Sequence, residues 1–269
     1  MSTISQSKNV LGFLGPKGSW THQACLDLRV DGQELAPFSA DDLFRAYAQA
    51  RVAKICIPYY SSLAGLTPYF DQVTGLSRWW IERDYRRSIE HSLVGLQPVQ
   101  WHAVQRVLGH PVALAEVAPW LEEHLGHARL ELVASGGQAI STMRQINQSC
   151  CVAVAPAPSS RQSDLTLLVP SIPTIGPNVT SWWVLGNRSA DRKALMWLRV
   201  LADKGTLESF VANVHGLGHA SLEIFARPVN EPLAKNTSLL KLPRELLTDV
   251  AHILKRHHLE FALVGTTDQ

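Results

Sequence analysis

The chain has 269 residues, 46% of them hydrophobic and 18% charged, with a formal net charge of +2. That length and apolar content suffice for two packed domains. The near-neutral balance, with lysines and arginines scattered along the chain, gives no reason to expect a nucleic-acid or anionic-membrane partner.

No apolar run reaches the roughly 20 residues needed to cross a bilayer. The polar stretch 1–9 lacks the apolar core of a signal peptide, so a cytoplasmic protein is expected. The cysteines are Cys25, Cys56, Cys150 and Cys151. The adjacent pair suits neither a disulfide framework nor a C-x-x-C zinc site, and reduced thiols are the simplest reading. His215 and His219 are four apart, and His124 and His127 about one turn apart, but no H-E-x-x-H occurs and no acid completes either pair. Neither a metal nor a cofactor is expected.

Taken in chain order, Val10–Leu14 is a short apolar strand ending at Gly15-Pro16. Ser19–Leu28 reads as a helix with Ser19 as N-cap, and Asp41–Ala53 as a second helix through its periodic Leu43, Phe44 and Tyr47. Ile55–Pro58 is a buried strand. Ser88–Leu96 and Ala103–Leu108 read as strands, Pro111–Leu125 as one helix, Leu130–Val133 as a strand, Gly137–Ile146 as a helix, and Cys151–Ala155 and Ser181–Leu185 as strands. Such alternation implies an α/β layer architecture, in two blocks around a cleft.

Asn187–Arg192 is polar and aperiodic, and a domain boundary is expected there. Beyond it, Ala194–Ala202, Gly205–His215, Ala220–Ala226, Ser238–Leu242, Pro243–His257 and Leu259–Val264 read as β-α-β-β-α-β, the ferredoxin-like order.

Several segments carry chemistry. Leu14-Gly15-Pro16-Lys17-Gly18-Ser19-Trp20-Thr21-His22-Gln23-Ala24 is a glycine-bearing turn feeding a helix N-terminus, which exposes N–H groups to an anion. It is followed by Ile57-Pro58-Tyr59-Tyr60-Ser61-Ser62-Leu63-Ala64-Gly65, then Glu90-His91-Ser92-Leu93, Gly109-His110-Pro111, Ser135-Gly136-Gly137-Gln138-Ala139 and Asn178-Val179-Thr180-Ser181-Trp182. Each alone is weak, and His110-Pro111 suits a helix cap as well as catalysis. In this order and spacing they resemble the landmarks of the prephenate dehydratase family: G-P-x-G-[ST]-[FY]-[ST]-x-x-A, V-P-I-E-N-S-x-x-G, S-H-P, S-T-x-x-A and N-x-T-R-F. The tail resembles that family's ACT pattern through Gly205, Leu207, Phe210, Gly218, Ile224, Arg227 and Pro228.

The resemblance implies a bilobed, periplasmic-binding-protein-like catalytic domain over 8–187, with lobes of about 8–85 plus 170–187 and 88–169. An ACT-like domain follows over 193–266. It implies decarboxylating dehydration of prephenate to phenylpyruvate, with Thr180, Tyr60 and Ser62 in catalytic roles. Gly15, Lys17, Gly18, Ser19, Thr21, His22, Ser61, Gly65, Ser135 and Ser181 are the expected substrate-binding residues. The implied ligand is prephenate or a similar carboxylated ring acid, and a homodimer or homotetramer through the ACT-like tail is expected.

The departures matter. Tyr60 and Ser61 stand where the family has Glu and Asn, and Ser181 replaces its arginine. A charge-assisted contact is worth on the order of 1.5–3 kcal/mol, so another cation is required or the reaction has changed. Lys17, or one of Arg83, Arg86 and Arg87, is the expected substitute, although the three arginines also read as a solvated face. Non-aromatising prephenate decarboxylases likewise carry Ser-Trp in place of the arginine, with Tyr59, Tyr60 and His22 here available for proton transfer. The alternatives to a dehydratase are therefore such a lyase of specialised metabolism, or a catalytically silent ligand-binding or regulatory homologue. In the tail, Phe225 replaces the acid of the family's E-S-R-P, Ala220 replaces its Asn, Glu208 adds a charge, and the loop from Pro228 to Ser238 is short. Phenylalanine feedback is expected to be weak or absent.

Overall fold

A computed structural model describes residues 9–29, 32–76, 79–186, 193–215, 222–226 and 236–268. The expected boundary at 187–192, and Gly218, Ala220, Arg227 and Pro228, lie outside these residues.

The first lobe runs β1 (Val10–Leu14), α1 (Trp20–Leu28), β2 (Glu34–Phe38), α2 (Ala40–Ala48), β3 (Lys54–Ser61), β4 (Gly65–Leu66), α3 (Pro68–Thr74) and β5 (Ile81–Ser88). The second runs β6 (His91–Gly95), β7 (Arg106–Gly109), α4 (Pro111–Glu116), α5 (Ala118–Leu125), β8 (Arg129–Leu132), α6 (Gly136–Ile146), β9 (Cys151–Pro156) and β10 (Thr166–Ile172). The chain then returns to the first lobe as β11 (Val179–Leu185). In the tail, β12 (Leu195–Ala202), α7 (Lys204–His215), β13 (Glu223–Phe225), β14 (Asn236–Pro243), α8 (Leu247–Arg256) and β15 (Glu260–Thr267) follow the βαββαβ order.

Two sheets result. The second lobe has the order β10-β6-β9-β7-β8, and the larger sheet reads β13-β14-β12-β15-β5-β11-β3-β1-β2, with β4 beside β3. The tail was expected to stand apart, yet its strands continue the first lobe's sheet. β15 lies parallel to β5 with Gly265 opposite Ile81. A Cβ added at Gly265 would meet the Ile81 Cβ at 2.6 Å, so only glycine permits this approach.

Other differences have local causes. The expected strand Ser88–Leu96 is broken, because the chain crosses between lobes at Ile89-Glu90; Ile89 N–H donates to Asn178 O at 2.8 Å. The expected helix Pro111–Leu125 is two helices that meet at Val117, where φ is −109°. Pro119 has no N–H for the carbonyl four residues back, so the first helix cannot run on. Arg83, Arg86 and Arg87, expected as substitute cations or as a solvated face, lie in β5, a strand between β15 and β11. β10 had no counterpart among the expected strands; its Pro170 is tolerated because β10 is an edge strand.

Aromatic side chains fill the junction of lobe and tail. Tyr59, Trp183 and Trp197 are fully buried in one cluster that also holds Phe225 and Leu239. Tyr59 stacks on Trp183 with ring centroids 3.9 Å apart.

Candidate functional site

The cleft between the two lobes holds a cavity of about 660 Å³, within the usual range for a small-molecule site. Five helices start on its wall. Their N-caps are Ser19 for α1, Ser39 for α2, Thr67 for α3, His110 for α4 and Ser135 for α6, and all five residues line the cavity. The caps follow from residue type. Ser19 Oγ accepts from His22 N–H at 3.2 Å and Ser135 Oγ from Gln138 N–H at 3.1 Å. His110 Nδ1 accepts from Val112 N–H at 3.3 Å, with Pro111 starting the helix. Free N–H groups at these ends carry partial positive charge and favour an anion.

Among the described residues lining the cavity there is no lysine or arginine. The anion-binding capacity of these walls therefore comes from helix ends and hydroxyls. Apolar walls from Phe38, Leu66, Ile89, Val154 and Trp182 complete it.

Strand alternation decides which expected residues reach this space. Thr180 pairs with Ser61 and Ser181 with Tyr60 across β11 and β3. Successive side chains on a strand point to opposite faces. Thr180 and Ser61 line the cavity, with Gly15, Ser19, Thr21, Gly65 and Ser135. These seven expected residues come together from distant segments. Gly15 N–H donates to Phe38 O at 2.9 Å, Gly65 has φ of +73°, and Thr21 Oγ1 accepts from Trp182 Nε1–H at 3.1 Å.

The other six lie elsewhere. Tyr60, Ser62 and Ser181 face a separate cavity of about 460 Å³ on the opposite side of the sheet, with Arg86, Glu223 and Phe225. Ser62 Oγ donates to Pro177 O at 2.6 Å and accepts from Val179 N–H at 2.9 Å, so it clasps the entry to β11. Position 181 thus faces away from the main cavity, and an arginine's absence there removes nothing from its walls. Lys17 is exposed and off the cavity. Gly18 has φ of +86°, and its carbonyl accepts from Ser159 Oγ–H of the second lobe. His22 buttresses that turn: its Nδ1 accepts from Gly18 N–H at 3.1 Å and its ring stacks on Phe13. Burial, then the Lys17 charge, lower the His22 pKa.

The arginines expected as substitute cations are also engaged elsewhere. Arg86 pairs with Glu223 and Arg87 with Asp27, while Arg83 is exposed and donates to Leu28 O at 3.4 Å.

Two wall residues drew no site reading from the motifs, and one was left open. Glu116 accepts from Asn178 Nδ2–H at 2.6 Å, and its Oε2 lies 2.7 Å from His91 Nε2. These contacts join residues 62 and 25 positions apart, which no local spacing reveals. His110, read as either cap or catalyst, is a cap whose ring also lines the cavity. Burial lowers its pKa, and the nearby His91 pushes the same way while Glu116 opposes.

The prephenate dehydratase family model matches residues 11–190. A prephenate dehydratase of Lactococcus lactis subsp. lactis is 23% identical over 217 residues, covering 80% of this chain and 76% of that one. Among solved structures, the prephenate dehydratase of Arthrobacter aurescens in complex with L-Phe superposes with a TM-score of 0.78 at 18% identity, covering 97% of this chain and 90% of that one. GqqA, described as a novel type of quorum quenching acylase, gives a TM-score of 0.73 at 20% identity over 96% of each chain. With two sheets around a cleft and a family match over most of its length, the chain belongs to the prephenate dehydratase family.

Proposed function

We propose that the cavity binds prephenate, or a close cyclohexadienyl dicarboxylic acid, and that the protein removes CO2 and the ring hydroxyl to give an arylpyruvate. The observation that carries this reading is the placement of Thr180 and Ser61 inside a ring of five helix N-caps. Each helix end stabilises a nearby anionic group by about 0.3–1 kcal/mol, and up to about 2 kcal/mol when partly buried. Two carboxylates shared among several ends thereby gain what one arginine would supply. Thr180, flanking the reacting ring, donates a hydrogen bond to the departing hydroxyl. The apolar walls hold the ring and keep bulk water away from the breaking bonds.

We place the catalytic unit in the lobes from residue 8 to 187 and assign 193–266 to an ACT-like unit that assembles two or four chains. No helix among the described residues is long and apolar enough to cross a membrane, and we propose action in the cytoplasm.

The test is incubation with prephenate while following CO2 and the ring product. Phenylpyruvate with CO2 supports the dehydratase reading. CO2 with a non-aromatic product assigns the chain to the decarboxylases that carry Ser-Trp at this motif. Binding without CO2 release makes it a silent homologue.

A further inference from the structure

We propose that His91 and Glu116 together are the proton store of this cavity, and that their proton reaches the departing hydroxyl beside Thr180. The inference rests on the lyase reading given above. A threonine hydroxyl can donate a hydrogen bond to a leaving oxygen, but an alkoxide is a poor resting place for the charge left behind. A titratable group is needed to supply the proton itself.

Glu116 is the only carboxylic acid among the described residues lining the cavity. Its side chain is 8% exposed and that of His91 5% exposed, and Glu116 Oε2 lies 2.7 Å from His91 Nε2. Asn178 anchors the same oxygen through its side-chain amide at 2.6 Å. Asn178 also sets the distance to the reacting centre. Its backbone carbonyl accepts from Ile89 N–H at 2.8 Å, continuing the ladder in which Val179 faces Ser88. Residues two apart on a strand share a face, roughly 7 Å from one another. Thr180, His91 and Glu116 all line the same cavity, and the amide that holds Glu116 comes two residues before Thr180.

The pair also carries a sign of use beyond packing. His91 Nδ1 and Asn178 Oδ1 are buried and have no hydrogen-bond partner among the described residues. Leaving a buried polar atom unmet opposes folding, and such a group in a native cavity wall calls for a functional account. A ring with one nitrogen on Glu116 and the other bare can move a proton from one side to the other. The groups facing the pair are few. His110, at the start of α4, presents Nε2 because Val112 N–H occupies its Nδ1, so its neutral ring is a donor and not a base. Asn178 approaches from the β11 side, and Ile175 N–H donates to the Glu116 backbone carbonyl at 3.0 Å.

The bond from the ring to its carboxylate breaks, CO2 leaves, and the electron pair enters the ring. The ring C–O bond breaks, and its oxygen takes the pair's proton and departs as water. The pair regains one proton from solvent through the open cleft.

The experiment is prephenate turnover by the full chain and its Glu116→Gln and Glu116→Asp variants across the neutral pH range. Gln keeps an acceptor for Asn178 but has no acidity. The expected result for Glu116→Gln is a loss in kcat of about 10²–10⁴-fold, with KM little changed and one limb of the kcat–pH profile gone. Glu116→Asp restores part of the rate and the limb. Wild-type kcat and profile in folded Glu116→Gln would overturn the proposal. Should Glu116→Gln not fold, nitrogen NMR of His91 in the wild type decides. Its titration must track the kcat limb, and a flat His91 signal where kcat changes would overturn it. Failure of the wild type to release CO2 from prephenate instead sinks the lyase reading, and this inference with it.

Discussion

Lys241 Nζ lies 2.5 Å from Asp84 Oδ2, a pair that ties β14 of the tail to β5 of the first lobe, with side chains only 11% and 3% exposed. Asp84 Oδ1 accepts from Tyr59 O–H at 2.9 Å, and Lys241 also reaches Glu223 at 3.6 Å. Burial, then the Asp84 charge, hold the Tyr59 phenol well above its ordinary pKa, so it serves as donor throughout the neutral range. Removing Lys241 would strand the Asp84 carboxylate. Lys241→Met is expected to cost about 3–5 kcal/mol, and the double variant with Asp84→Asn to recover much of it. Urea denaturation of the two variants measures the difference. Equal losses in both would show that the cost comes from packing of the lysine stem and not from the unpaired charge.

Thr180→Ala keeps the sheet, because Thr180 is only partly buried and its backbone pairing with Ser61 and Arg87 needs no hydroxyl. Its kcat for prephenate is expected to fall by about 10²–10⁴-fold, with the thermal midpoint nearly unchanged. Full turnover in the folded variant would leave Thr180 as a wall residue only.

Ser181→Arg restores the residue that the family carries, but on the face away from the main cavity. Ser181 is 2% exposed and shares its cavity with Arg86. The added guanidinium would be crowded and would meet a like charge, so a destabilisation of about 1–3 kcal/mol is expected. Calorimetry should find prephenate affinity no tighter than in the wild type. A clear gain in affinity would mean that the anion reaches the second cavity.

His110 offers a pH test. Its pKa lies below the ordinary 6.5, chiefly through burial, so below that value the unfolded chain binds more protons than the folded one. Stability contributed by neutral His110 is therefore present above pH 6.5 and lost as pH falls toward its lowered folded value. His22 shifts in the same direction and adds to the slope. His110→Asn keeps an N-cap acceptor while removing the titration, and should flatten part of the acid limb in denaturation midpoints. An unchanged limb would assign the slope to His22 and other groups.

Much of this was legible in the residues. Short apolar runs and Ser or His-Pro caps marked most first- and second-lobe elements, since those signals are local. Seven of the expected site residues share the cavity because the motif order reflects strand ends and helix starts. The misreadings trace to alternation and to distance. Tyr60, Ser62 and Ser181 sit next to true wall residues in sequence, but a strand turns neighbours to opposite faces. Ser181 faces the second cavity while its neighbour Thr180 lines the first. Glu116 gave no signal in the sequence because its contacts reach residues 25 and 62 positions away. The continuation of the tail into the first lobe's sheet depends on one glycine, Gly265, and on a charged strand, β5, that has no apolar period.

Phe225 stands where the family has an acid, and in the fold its ring is committed to the lobe: it lies edge-on to Tyr59 at 5.4 Å and to Tyr60 at 5.9 Å, and stacks on Trp197 at 5.5 Å. A ring buried to 7% exposure cannot serve as the partner of an amino-acid ammonium, and a ligand without differential affinity for two states cannot shift them. Among the described residues the sheet also ends on β13, a strand of three residues paired only with β14, which leaves an edge that a second copy can extend. Phenylalanine titrated by calorimetry is therefore expected to give no heat of binding in the micromolar range, and it should leave prephenate turnover unchanged. Sizing of the same sample is expected to give a dimer or tetramer. Micromolar phenylalanine binding would overturn the loss of feedback, and a monomer at every concentration would overturn assembly through the tail.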